Sequence, residues 1–157
     1  MTSERTIRSY QPRDRDAVLA RAARLTSGMA PWRDAGACLT AVRGWVEGSI
    51  ERPADEGALL VAVDERDRPE GFVSVEASTH FSGEREAYIG ELVVDERREG
   101  RGIGRALVDA AEAWALARGY RTLTLETGAA NHDARGFYAR LGFLEEGVRL
   151  TKVLERA

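Results

Sequence analysis

The run EGRGIG, residues 99–104, follows an apolar segment and opens a stretch with helical spacing. Glycine is a poor residue with which to start a helix, so its repetition there needs a reason. Unpaired N–H groups at a helix start carry the positive end of the dipole and can bind a phosphate. Gly100, Gly102 and Gly104 would let that phosphate reach the backbone, since no Cβ stands in the way. Arg97, Arg98, Arg101 and Arg105 add positive charge around it, partly offset by Glu96 and Glu99. The same residues also read as an ordinary glycine-rich turn between a strand and a helix. Two familiar phosphate loops are excluded: there is no GxxxxGK[ST], and GIGRAL lacks the third glycine of a dinucleotide fingerprint. A second candidate is Glu91, which simple strand alternation places on the face of Ile89 and Val93. A carboxylate among apolar residues is costly unless it is used, ion-paired or exposed.

These residues need elements to hold them. A short strand over 6–10 is expected, then a helix over 14–25 carrying Ala17, Val18, Ala22 and Leu25. Trp32, Ala35, Leu39, Val42 and Val46 follow the spacing of one buried helix face, which places Trp32 and, by the same helical spacing, Trp45 in the core. Residues 57–63, 71–77 and 88–94 read as strands, with a turn at 64–70 between the first two. A helix over 103–118 closes at Gly119, and Leu123 and Leu125 mark a strand over 122–127. A short helix over 134–141 ends at Gly142, and 143–154 could form a final pair of strands. The order implies one domain over residues 1–157, with a mixed α/β sheet covered on both faces.

Composition narrows the function. The chain has 157 residues, 43% hydrophobic and 31% charged, as in soluble globular proteins. Its formal net charge of −3 argues against a general nucleic-acid binder. Cys38 is the single cysteine, so no intrachain disulfide forms and a reducing compartment is the simplest home. The opening MTSERTIRSYQPRDRD lacks the apolar core of a signal peptide, and no apolar run approaches a membrane span. A soluble, cytoplasmic protein is expected. No Cys/His/carboxylate cluster has metal-ligand spacing, so no metal is expected, and His80 and His132 read as solvated.

The C-terminal half, VVDERREGRGIGRALVDAAEAWA followed by LTLETGAANHDARGFYARLGF, closely resembles the GNAT superfamily of N-acetyltransferases. Gly102 and Gly104 match the family's pyrophosphate motif with Gly100 as an extra glycine, while Glu99 stands where the family has Arg or Gln. The second motif matches at Asn131, Ala134, Phe137, Tyr138, Leu141, Gly142 and Phe143. The resemblance implies a mixed, mostly antiparallel central sheet flanked by helices on both faces. It implies acetyl-coenzyme A as co-substrate, held by Arg98, Glu99, Gly100, Arg101, Gly102, Ile103, Gly104 and Arg105 at the phosphates. Leu92, Val93 and Val94 would lie along the pantetheine through their main chain, with Asn131 bonding the same arm or capping its helix.

Acetyl transfer to an amine needs a neutral nucleophile, a polarised thioester carbonyl and a proton for the departing thiolate. A thiol of pKa ~8.5 is a fair leaving group, so acid assistance supplies only part of the barrier. By resemblance the Tyr138 hydroxyl is that acid; the bland alternative is a half-buried core tyrosine. Glu91 is the candidate base, with Glu76 and Glu126 on neighbouring strands as weaker ones. The expected acceptor is a small molecule's primary amine, attacking directly in a ternary complex. A protein α-amine or lysine, or a non-catalytic acyl-coenzyme A-binding module, are the other readings. The acceptor wall is expected around 26–31 and 32–50, and a homodimer is common among similar proteins.

Overall fold

The computed structural model describes residues 5–155; residues 1–4 and 156–157 lie outside the described residues. Five strands, β1 (Thr6–Ser9), β2 (Gly57–Val63), β3 (Pro69–Thr79), β4 (Arg85–Val94) and β5 (Leu123–Leu125), lie side by side in the order of their numbers. The pairs from β1 to β4 are antiparallel, and β5 joins β4 in parallel. The sheet is therefore mixed and mostly antiparallel, as expected.

Helices cover both faces because the central strands carry apolar residues on both. On one face, Ile103, Leu107, Ala111, Trp114 and Ala115 of helix α3 (Ile103–Ala117) pack on Ala62, Val73, Val75, Ala87 and Ile89. Their spacing of three and four puts one stripe of the helix against the sheet. On the other face, Val18 of α1 (Arg15–Ala20), Ala22 and Val46 of α2 (Ala35–Glu51) pack on Leu59, Val61, Phe72 and Val93. A fourth helix, α4 (His132–Arg140), follows β5.

Three expectations need correction. The helix over 14–25 is broken into α1 and a tight 3₁₀ turn, Ala22–Thr26. Arg21 sits at the break, where its guanidinium donates to Ala17 O at 2.6 Å, Pro69 O at 2.9 Å and Asp95 at 2.8 Å. Trp32 and Trp45 are about half exposed, at 51% and 52%, not core. Trp32 precedes the Asp34 cap of α2, and Trp45 lies one helical step of ~100° from buried Val46. Only Val42, Val46 and Ser49 of α2 are buried. Finally, residues 143–155 form no strand, and Leu144 and Leu150 are exposed. The apolar pattern is there, but β5 is only three residues long and offers little edge to extend.

Leu107 is fully buried at the centre of the α3 contact. Leu107→Ala is expected to lower unfolding free energy by roughly 2–5 kcal/mol, read from urea denaturation. A loss under about 1 kcal/mol would mean that the α3 face can collapse around the cavity.

Candidate active site

The site begins with an irregularity in β4. Val73 pairs with Leu92, and Val75 pairs with Ile89, so Ser74 alone opposes both Gly90 and Glu91. This is a β-bulge, and one extra residue reverses which face every later side chain takes. Ile89 faces α3, as do Leu92 and Val94, whereas Val93 lies in the cluster beneath α1 and α2. Glu91 thus shares a face with Val93 but not with Ile89, which corrects the simple alternation. It lies under α2, 4% exposed.

There the carboxylate meets hydroxyls. Ser49 of α2 donates to Glu91 Oε2 at 2.8 Å, and Ser74 donates to the same oxygen. Arg52 donates to Ser49 Oγ at 3.3 Å and is ion-paired to Glu76. Burial pushes the Glu91 carboxyl above its ordinary range, and the two serines and Arg52 only partly oppose it. Tyr88 is pushed up to about 12, by burial first and then by Glu126, Glu76, Glu91 and Glu86. This face of the sheet is rich in acid.

The bulge also marks where β4 loses a neighbour. β5 pairs only with Ala87, Tyr88 and Ile89. From Gly90 to Val94 the β5 side of the strand has no ladder partner among the described residues, so its main-chain groups face a gap. Leu92, Val93 and Val94 lie along that gap. The strand then leads through the turn Glu96–Arg98 into α3.

At the α3 end the glycines divide their work. Gly100 and Gly102 have φ of 73° and 78°, a left-handed region that favours glycine. A Cβ at Gly100 would meet nothing within 4 Å, so the loop surface is open. Gly102 is the N-cap and supplies no side-chain cap, leaving the first-turn N–H groups uncapped. Gly104 has a different reason: a Cβ there would stand 3.2 Å from the Phe137 ring. It lets α4 close on α3. Glu99 is ion-paired to Arg24, so its charge is answered from the 3₁₀ turn. Arg98 is held by Glu70 at 3.1 Å, Arg105 lies 3.9 Å from Asp109, and Arg101 has no ion-pair partner among the described residues.

Tyr138 follows Phe137 on α4, its ring 5.2 Å from Phe137 and 5.5 Å from Phe143. Its hydroxyl makes no hydrogen bond among the described residues, and burial pushes it up to about 12. Asn131 caps α4, accepting from Ala134 N at 3.2 Å, and donates to Ser27 O at 3.4 Å. It therefore ties the α1–α2 connection to α4. Gly28 passes so close that a Cβ there would lie 2.4 Å from Asn131 Cβ.

Comparison with known proteins matches these features to a family. A model of the acetyltransferase (GNAT) family matches residues 22–143. The chain belongs to the GNAT acetyltransferase family. An uncharacterized N-acetyltransferase of Methanocaldococcus jannaschii is 38% identical over 96 residues, 60% of this chain and 42% of that protein. The peptidyl-lysine N-acetyltransferase YjaB of Escherichia coli is 36% identical over 92 residues, 59% of this chain and 53% of that protein. The chain thus spans about half the length of these relatives. In fold, it matches a putative acetyl transferase from Pyrococcus furiosus with a TM-score of 0.77 and 22% identity, covering 96% of this chain and all of that one.

The GNAT family uses acetyl-coenzyme A as co-substrate, and the unpaired β4 edge and the uncapped start of α3 offer main-chain groups that fit an extended arm and its phosphates. The geometry does not join Glu91 to Tyr138: no hydrogen bond links them among the described residues. Glu126 and Glu76 lie near Tyr88, with Glu76 occupied by Arg52. His80 bonds Ser82 at 2.7 Å, and His132 is exposed at the start of α4. Among the described residues no group of His, Cys, Asp and Glu could hold a metal, and no helix is long and apolar enough to cross a membrane. The sequence reading missed Ser49, Ser74, Arg24 and Arg5. Serines and arginines at ordinary spacing carry no signal until the fold brings them together.

Glu91 gives a pH-dependent prediction. Its folded pKa lies above its unfolded value, so the parent loses stability as pH rises from the unfolded value of ~4.3 through the folded one. Below that window both states are protonated and the penalty vanishes. Glu91→Gln, a neutral isostere, is expected to match or exceed the parent's stability at pH 7, with the difference closing below about pH 4. A variant markedly less stable at pH 7, by urea denaturation, would show that Ser49 and Ser74 hold the ionised carboxylate at a net gain.

Proposed function

We propose that this chain is an acetyl-coenzyme A-dependent N-acetyltransferase that moves an acetyl group onto the primary amine of a small molecule, by direct attack in a ternary complex. We read it as one domain acting in the cytoplasm. The observation that carries the reading is the unpaired β4 edge, running from the Gly90–Glu91 bulge to the uncapped start of α3. An extended thioester arm fits such an edge through main-chain hydrogen bonds, and its pyrophosphate fits the glycine loop. A main-chain N–H on that edge serves as donor to the oxyanion that forms at the thioester carbon.

In this proposal Glu91 accepts the ammonium proton through water. Burial raises its proton affinity, which suits a base that must work near neutral pH. Tyr138 stays protonated at every working pH because its pKa is about 12. Full transfer from such a hydroxyl to a thiolate is uphill, so it acts mainly by donating a hydrogen bond as negative charge develops on sulfur. The acid-rich face near Tyr88 favours a cationic acceptor. A protein lysine is the second reading, supported by the similarity to the Escherichia coli peptidyl-lysine enzyme.

A screen of small amines and lysine peptides with acetyl-coenzyme A, reading released thiol, tests the activity and chooses between acceptors. Thiol release with no amine or peptide above the hydrolysis background would leave only acyl-coenzyme A binding. Tyr138→Phe removes one hydroxyl and keeps the ring. It is expected to lower kcat by about 10²-fold while acetyl-coenzyme A affinity stays within about twofold. Unchanged turnover would reduce Tyr138 to a packing residue. Gly102→Asp puts a side chain and a negative charge in the cradle, so coenzyme A binding by calorimetry should fall sharply in a folded variant. Parental affinity there would move the phosphate site elsewhere.

A further inference from the structure

Beside the glycine loop, and sharing Arg98 and Arg101 with it, lies a cleft of about 470 Å³ whose other residues the acetyl-transfer reading does not use. The turn between β2 and β3 forms one wall and the segment before α3 the other. Arg5, Arg66, Arg68, Arg98 and Arg101 all line it. Two of these charges are already answered: Arg68 pairs with Asp64 at 2.7 Å, and Arg98 with Glu70 at 3.1 Å. Glu65 also lines the cleft. Arg5, Arg66 and Arg101 have no ion-pair partner among the described residues, so the cleft holds cations in excess of its acids. Its lining is charged and offers little to an apolar ligand. The cleft is also continuous with the helix start, since Arg101 lies between Gly100 and Gly102. Arg5 approaches from the chain entering β1, with one guanidinium nitrogen 3.6 Å from where a Gly102 Cβ would be.

We propose that this cleft binds the 3′-phosphate on the nucleotide end of coenzyme A, with Arg5 and Arg66 as its principal donors. The proposal rests on the coenzyme A reading above. A phosphate monoester is near its dianion at neutral pH and presents three acceptor oxygens, a match for convergent guanidinium groups. Arg5 lies in the cleft wall, on the side nearest the helix start. The pyrophosphate lies against main-chain N–H groups, whereas the 3′-phosphate is read by side chains. The two subsites can therefore be separated by substitution.

The experiment is calorimetry with coenzyme A and with dephospho-coenzyme A, which lacks only the 3′-phosphate. The parent is expected to bind dephospho-coenzyme A roughly 10- to 100-fold more weakly. Arg5→Gln/Arg66→Gln should lower coenzyme A affinity to the dephospho level and change dephospho-coenzyme A by no more than about twofold. Lowering the pH from 7.5 to 5 should shrink the parent's preference, because the second phosphate pKa is about 6. Equal binding of the two ligands by the parent would overturn the proposal. So would an equal loss of both ligands in the double variant, with circular dichroism showing it folded. Failure of the parent to bind either ligand would overturn the coenzyme A reading itself, and this proposal with it.

Discussion

Two residues of β4 facing one of β3 is the constraint on which the site depends. Without the extra residue at Gly90–Glu91, Leu92 and Val94 would turn away from α3, and Glu91 would face the α3 core. With it, both halves of β4 present apolar side chains to α3, and one carboxylate is delivered beneath α2. Gly90 fits this geometry, because a Cβ there would lie 2.9 Å from Ser74 Oγ. The hydroxyl it would strike is the one that accepts from Glu91 N at 2.9 Å and donates to the Glu91 carboxylate. Ser74 thus completes the bulge and supports the charge it buries. Burying a carboxylate is unfavourable unless its lone pairs are met, and Ser49 meets them from α2. α2 is consequently tied to the sheet by a polar contact as well as by Val42 and Val46.

The opposite end of β4 shows another economy. The start of α3 has no side-chain cap and its glycines leave the surface bare, while the turn before it is held by Asp95, whose side chain accepts from Arg97 N at 3.0 Å. Long-range arginines add to this. Arg21 holds Asp95, Arg24 holds Glu99, and Arg98 holds the nearly buried Glu70. Exposed ion pairs contribute little singly, but several pairs that converge on one short segment restrict it together. The uncapped N–H groups at the α3 start stay available to a ligand, because the restraint acts on the residues before them.

How much of this was legible in the sequence follows from what each signal encodes. α3 was readable because Ile103, Leu107, Ala111 and Trp114 repeat with the helical period, and β2 to β4 because they are long and apolar. The glycine loop was readable because glycine at a helix start has few uses. A bulge has no period, so the face of Glu91 could not be read from alternation. Trp45 shows a second limit: hydrophobic type and spacing say which residues could be buried, and only the sheet's width decides which are. The apolar residues of 143–154 likewise carry a strand pattern without the paired edge that would make it one. Arg101 was legible beside the glycines, but Arg5 and Arg66 were not, because they are distant in the chain and meet it only when β1, the β2–β3 turn and α3 are assembled.

Arg24 lies within the 3₁₀ turn Ala22–Thr26, which leads directly into the connection where Gly28 passes Asn131. One guanidinium therefore links the glycine loop, the proposed phosphate site, to the chain proposed to wall the acceptor. In the proposed reading, an anion at the glycine loop would compete with the Glu99 carboxylate for Arg24, which sits in the turn just before residues 27–31. Free energy coupled in this way is reciprocal, so an acceptor that shifts the connection would alter the grip on the nucleotide by the same factor. The two substrates would then not bind independently. Initial-rate patterns with both concentrations varied would show this as an interaction constant different from one, and a value of one would mean that the ion pair merely holds the loop.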